Sequence, residues 1–308
     1  MHCELVVPGL FAAQPPGRLP ALELLLARAR RHASPIQGVE RWWLEAFELG
    51  EGPFPAGALT LLGGGGDPGT TSWVRADPVH LRVMRDRLAL VPGEAFELSR
   101  EEADALCAAL NTHFPGLDFT ASAPRHWCAR LEASMAGSAL DSGAPLDPPK
   151  SAAALINEAQ MVLHAHPVNE AREARGAPAV NSLWLWGGGR LPASARCSWQ
   201  SVAADDPAVL GAAQLAGARH RALPRSAAEW LERLPGEGRH LAAPDALRTP
   251  LEALERDWFA PLLAALRAGR IGMLTLHVPD AAEAVSFEAI RGDLRRFWRL
   301  AKPIERYA

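Results

Sequence analysis

Short apolar runs closed by proline or glycine alternate along this chain with longer stretches in which leucines recur every three or four residues. Glu4–Val7 meets Pro8 and Gly9 at once and predicts a short buried strand, while the spacing in Leu19–Arg31 predicts a helix. Glu40–Leu49 predicts a second helix, packed through Trp42, Trp43 and Phe47. Strands are expected at Asp86–Val91, Leu117–Thr120 and His126–Leu131. A helix is expected over Ser99–Asn111, where Ser99 caps, Glu101 and Glu102 fill the first turn, and Leu106 and Leu110 share a face. Further on, the pattern predicts strands at Arg196–Val202, Arg239–Ala243 and Ile271–Val278. It predicts helices at Pro207–Ala216, at Ser226–Leu234 with Trp230 inward, at Thr249–Ala268 with a kink at Pro261, and at Phe287–Leu300.

The most informative stretch is Asn157–Pro192. Its polar first part predicts a helix that Pro167 ends near His166. Asn169 then suits an N-cap, with Glu170 and Glu173 near the positive helix end and Arg172 and Arg175 further along, and Gly176 closes that helix. Val180–Trp186 is rich in β-formers and predicts a buried strand with Gly187, Gly188 and Gly189 at its carboxyl end. Such a run lets a ligand approach the backbone, and it equally forms a flexible turn. The local strands between 71 and 150 form an α+β block ending in the Gly-, Pro- and Ser-rich Ala136–Lys150. The expected division is therefore 1–70 as the first part of a core, 71–150 as an inserted α+β domain with its return linker, and 151–308 as the rest of the core.

Composition narrows the function. At 308 residues and 48% apolar content the chain can bury a substantial core. Arginine supplies nearly all the positive charge, with lysine only at Lys150 and Lys302, a sign of GC-rich coding before any arginine-based mechanism. A formal net charge of -3 gives no nucleic-acid footprint. Cys3, Cys107, Cys128 and Cys197 form no CxxC, so a reduced, cytoplasmic setting fits. The first residues lack a basic start and reach Pro8 early, which argues against a signal peptide. No apolar run approaches the ~20 residues that span a bilayer.

Several groups could carry chemistry. Gly63–Gly66 lacks the Gly-Lys-Ser/Thr of a phosphate loop, so Gly50–Thr71 reads as a loop and no cofactor is expected. Arg75, Asp77 and His80 could bind an anion or do acid/base work; an Arg–Asp pair could equally pin a loop, with His80 capping the next element. Asp205 and Asp206 precede Pro207 and suit helix capping better than metal binding. His164 and His166 lack a nearby carboxylate partner. Three arginines around Phe297 and Trp298 could meet an acidic partner, or favour a helix C-terminus.

His166–Asn169 (HPVN), Arg172, Gly176, Asn181 and Trp184–Gly189 (WLWGGG) resemble the pattern of archaeal-type, cofactor-independent phosphoglycerate mutases, of the alkaline phosphatase superfamily. Trp73–Leu81 (WVRADPVHL), Asn157–His164 (NEAQMVLH) and Asp293–Arg299 (DLRRFWR) resemble a bacterial family more closely, the RpfE-type regulatory proteins often labelled phosphoglycerate mutase. The resemblance implies an α/β fold: an alkaline-phosphatase-like core sheet flanked by helices, with an inserted smaller α+β domain.

It also implies two metal ions held by Asp and His, and a Ser or Thr nucleophile. Those positions are largely absent. The first strand ends in Pro8 and Gly9 rather than an aspartate; only His277 and Asp280 stand where an Asp-His tandem belongs; Asp245 lacks its histidine partner; and Asp293–Arg299 has no histidine. No metal ligand and no catalytic residue is therefore assigned. The expectation is a non-catalytic regulatory protein, or one that binds a small phosphorylated or carboxylated ligand through Arg75, Asp77, His80, Asn169, Arg172, Asn181, Gly187, Gly188 and Gly189. The alternative is a phosphomutase or phosphohydrolase with a rearranged metal site. A third possibility is a protein partner bound through exposed Trp42, Trp43 and Trp298; neither nucleic acid nor membrane is expected as a partner.

Overall fold

The computed structural model describes residues 1–12, 17–83, 88–92, 97–131, 150–244 and 249–307. The linker expected at Ala136–Lys150 falls almost wholly outside these residues, and Asp245 does so entirely. In chain order, β1 (His2–Val6) leads to α1 (Pro20–Arg28), β2 (Arg30–Ser34) and α2 (Val39–Ala46). Next come α3 (Ala56–Gly63), β3 (Ser72–Val83), β4 (Leu88–Pro92), α4 (Arg100–His113), β5 (Thr120–Ala123) and β6 (His126–Arg130). Helices α5 (Lys150–His164) and α6 (Pro167–Ala174) precede β7 (Ser182–Arg190). Then follow β8 (Ser201–Ala204), α7 (Pro207–Leu215), β9 (Arg219–Arg221), α8 (Ala227–Glu232) and β10 (Arg239–Ala243). The chain closes with α9 (Leu251–Leu254), a π turn at Glu255–Phe259, α10 (Ala260–Ala268), β11 (Met273–Pro279), β12 (Ala284–Ile290) and two 3-10 turns, Asp293–Arg295 and Ile304–Arg306.

These elements form two compact units, one made of Met1–Leu49, Ala195–Asp205 and Ala213–Ala308, the other of Gly50–Ser194 and Asp206–Ala212. The class is α/β, as expected. The first unit holds a seven-stranded sheet of order β2-β12-β11-β1-β10-β8-β9, parallel from β11 to β9 and antiparallel at β12 and β2. One face is apolar: Cys3 and Leu5 of β1, Leu274 and Leu276 of β11 and Phe287 of β12 pack with Leu22 of α1, Trp230 of α8 and Leu262 of α10. Residues of opposite parity, such as Glu4 and Thr275, which are aligned across β1 and β11, point to the other face.

The second unit holds a five-stranded sheet in which β3 pairs antiparallel with β4, β6 and β7, and β5 with β6. Val74, Trp127 and Leu185 of this sheet bury against Leu106 of α4 and Leu163 of α5. Pro78 falls in the stretch of β3 that neither β4 nor β6 pairs, where a missing N–H is tolerated.

Several elements differ from the sequence expectation. The strand from Ser182 belongs to the smaller antiparallel sheet, so that unit runs from Gly50 to Ser194 rather than from 71 to 150. A run of β-formers encodes a buried strand but not the sheet it joins. Gly187–Gly189 lie inside β7 rather than beyond it. The stretch read as a loop contains α3, whose Ala56–Leu61 are all buried. Asn169 is not the cap of α6. Pro167 takes the first helical position, so His166 becomes the cap and its Nδ1 accepts from Val168 N at 3.2 Å. The helix expected at Phe287–Leu300 is instead β12, whose AVSFEAI alternates buried and half-buried, followed by a 3-10 turn in which Asp293 accepts from Ile290 N at 3.1 Å. The irregularity expected at Pro261 takes the form of the π turn just before it.

Candidate functional site

Arg75 and Asp77 alternate along β3 and so share a face of the smaller sheet; His80 has the opposite parity. The structure brings the first two together and leaves the third apart. Arg75 is fully buried and donates through Nε to Asp77 Oδ1 at 2.9 Å, and through Nη1 to Thr60 Oγ1 and Asp206 Oδ1, both at 3.1 Å. Its guanidinium lies 5.0 Å from the ring centre of Trp186, whose Nε1 donates to Asp77 Oδ2 at 2.8 Å. Asp206 also accepts from Ala208 N at 2.8 Å, which is the capping role expected of it. Burial works against the charge on Arg75, but Asp77 and Asp206 outweigh it and hold the guanidinium above its usual range. Burial pushes the Asp77 carboxyl up, with Arg75 and Trp186 pulling it back. These side chains form a network of ion pairs within the chain. His80 Nδ1 instead meets Ala179 O at 2.8 Å.

Asn169, Arg172 and Asn181 clamp backbone. Asn169 donates to Leu163 O and Val180 O and accepts from Val180 N, at 2.7, 2.8 and 2.8 Å, while Asn181 exchanges bonds with both backbone groups of Leu81. Arg172 is fully buried and reaches Pro178 O, Glu97 O and Glu102 Oε2, each at 2.8 Å. Glu102 is the reciprocal partner of Ser99 in the capping box of α4, so one carboxylate serves both the helix start and the arginine. Gly187 has φ +60, and a Cβ there would stand 2.5 Å from Ala56 Cβ; a Cβ at Gly57 would overlap the backbone of Val74. The glycines of β7 and α3 thus let a helix lie directly on a strand. Gly188 lies between Gly187 and Gly189 in β7, and a Cβ at Gly189 would stand 3.1 Å from Pro55 Cβ.

The large sheet supplies a second polar cluster, on residues that the motif reading passed over apart from His277. Glu4, in the middle of β1, is 1% exposed. Its Oε1 accepts from Arg239 Nε at 2.7 Å and its Oε2 pairs with His277 Nε2 at 2.9 Å. His2 Nδ1 lies 3.6 Å from Glu4, and its Nε2 bonds Thr275 Oγ1 at 2.8 Å. Trp42 of α2 sits with its ring centre 5.2 Å from that of His277. Burial alone would raise the Glu4 carboxyl, yet the bonds from His277 and Arg239 hold it down at about 2. Burial lowers the His2 imidazole, against the pull of Glu4. The signal for this cluster was present in the sequence: a carboxylate inside an otherwise buried strand must have partners from neighbouring strands, and only the parallel register shows which ones.

The resemblance implies divalent metals held by Asp and His, and the described residues do not gather such a set. Among the described residues no three or more His, Cys, Asp or Glu side chains are grouped to hold a metal ion. The four cysteines are free. No described helix is long and apolar enough to cross a membrane.

No protein-family model matches the sequence, and no curated protein does. Among solved structures, the PH0037 protein from Pyrococcus horikoshii aligns over 94% of this chain and 87% of its own, with a TM-score of 0.56 at 16% identity. A cofactor-independent phosphoglycerate mutase from Thermoplasma acidophilum DSM 1728 aligns over 100% of this chain and 94% of its own, with a TM-score of 0.49 at 16% identity. The likeness to PH0037 is one of fold.

Proposed function

We propose that this chain is a non-catalytic binding protein of regulatory type on a phosphoglycerate-mutase-like scaffold, the role to which its resemblance to the RpfE-type proteins points. One observation carries the reading. The carboxylate on the central strand of the large sheet, Glu4, is held by Arg239 and His277, so cationic or donor groups of the chain itself neutralise it. A divalent ion gathers several carboxylates and imidazoles around one point, and a guanidinium bonded to the same oxygen opposes that arrangement.

A protein partner is favoured over a small phosphorylated or carboxylated ligand. To bind such an anion, Arg75 or Arg172 would have to exchange an internal carboxylate, Asp77, Asp206 or Glu102, for an external one. The test is elemental analysis of protein purified without chelators, paired with phosphomutase and phosphatase assays in added zinc or manganese. Less than a tenth of an equivalent of metal and no turnover are expected. About two tightly held equivalents, as a binuclear site requires, would overturn the proposal in favour of a rearranged phosphoryl-transfer enzyme.

A further inference from the structure

The segment after β12 is fastened to the junction of α1 and β2 through backbone carbonyls. Arg296 Nη1 donates to Arg28 O at 3.1 Å, Arg299 Nη1 donates to Ala29 O at 3.0 Å, and Arg28 Nη1 returns a bond to Leu294 O. Arg296 Nη2 also meets the buried Asp293 at 2.7 Å. This anchoring presents the next residues outward. Phe297, Trp298 and Leu300 are 75%, 66% and 76% exposed, and the two rings stand edge to face with centres 5.2 Å apart. Three large apolar side chains exposed within four residues, on a segment so firmly tied, are hydrophobic surface held in place rather than frayed chain.

Beside this ridge lies β2, the end strand of the large sheet. Arg30, Arg31, His32 and Ala33 are all exposed, and among the described residues no strand pairs with its outer edge. The stretches 28–31 and 295–299 carry six arginines, of which Arg31 pairs with Glu283 and Arg296 with Asp293, so the surface keeps a positive excess in a chain whose formal net charge is -3. Charge on an edge strand is a common guard against aggregation. A guard, however, does not need an aromatic ridge next to it.

We propose that β2 and the Phe297–Leu300 ridge form the docking surface for an extended acidic segment of a partner protein, which adds to the large sheet as a further strand beside β2. The open strand edge supplies backbone N–H and C=O groups at the spacing of another chain, Arg30 meets carboxylates on one face of the added strand, and the apolar side chains of its other face cover Phe297 and Trp298. A second copy of this chain is a poor occupant, since it would set Arg30 and Arg31 against arginines. Lipid headgroups and nucleic acid would use the charge but leave the strand edge unpaired. The inference gives the binding role proposed above a surface and a partner class. It is tested by peptide binding, so its failure is separable from a positive metal analysis.

The test is fluorescence anisotropy of the full chain with a labelled peptide alternating glutamate and valine. Binding is expected. It should be lost for the lysine–valine counterpart and for a glutamate–valine peptide N-methylated at alternate residues, which cannot complete the ladder. Trp298→Ala and Arg30→Glu should each weaken it by about tenfold or more, as interface anchors do, with unchanged melting temperature because both side chains are exposed. Absence of binding, equal binding of the N-methylated peptide, indifference to both substitutions, or stronger binding to phosphatidylserine vesicles or polyuridylate would each overturn the proposal.

Discussion

Replacing Glu4 by Gln tests the central cluster of the large sheet directly. The side chain keeps its shape and loses its charge, while Arg239 and His277 stay where they are. A carboxyl held at about 2 rather than at its ordinary 4.5 contributes about 3 kcal/mol to folding, an order-of-magnitude figure at 1.36 kcal/mol per pH unit. The sign follows from the direction of the shift. Because the folded-state value is depressed, the contribution is fully present above the unfolded value near 4.5, fades as pH falls, and is gone below about 2. Urea unfolding followed by tryptophan fluorescence, repeated from pH 7 downward, should therefore show Glu4→Gln less stable than the parent by about 3 kcal/mol at pH 7, with the gap closing between pH 4.5 and 2. A gap under about 0.5 kcal/mol at neutral pH, or one that does not narrow in acid, would refute the ion-paired account of Glu4.

Arg172→Ala removes a buried guanidinium and strands Pro178 O and Glu97 O, while Glu102 keeps Arg175 and Ser99 N; it should cost about 2–4 kcal/mol, and an unchanged melting temperature would show that the clamp is dispensable. Gly187→Ala places a Cβ 2.5 Å from that of Ala56 at a positive φ, so calorimetry should register a loss of about 1–3 kcal/mol; wild-type stability would mean that α3 can shift freely. In native protein Cys3 and Cys128 should resist a thiol reagent such as Ellman's, since burial raises their thiols to about 12 and about 11. Cys107 is buried too, leaving half-buried Cys197 to react first. Rapid modification of two or more thiols without denaturant would contradict this packing.

Local grammar was legible in the sequence. The Ser99 capping box, the stop at Pro167, the inward Trp230 and the strand at Arg239–Ala243 follow from neighbours in the chain. Partnerships between distant residues were not. WLWGGG reads as strand plus glycine, but whether the glycines admit a ligand or a helix depends on Ala56, about 130 residues earlier. Arg75 and Asp77 were visible as a pair, while the Asp206 that completes their network, and the Glu102 that holds Arg172, are supplied by other segments of the same unit. Parity along β3 could have set His80 aside from the start. The AVSFEAI run reads as helix only when taken together with the Arg-rich segment that follows; alone, its period of two marks the strand it forms. For the candidate site, residue types were readable and their occupancy was not, since a buried arginine declares only that it needs carboxylates.

The place of β1 has a consequence for the order of events during synthesis. His2 is aligned with Arg239 on one side and Met273 on the other, so β1 is bordered by strands that are made long after it. The strands of the smaller sheet, by contrast, are all present once Arg190 is made. The unit whose sequence starts second is therefore the first that can close on the ribosome, while HCELV and its charged Glu4 wait for Arg239 and His277. A nascent chain arrested before β10 would hold a finished smaller body and an unpaired β1, and the carboxylate in that strand would keep it in water until its partners arrive.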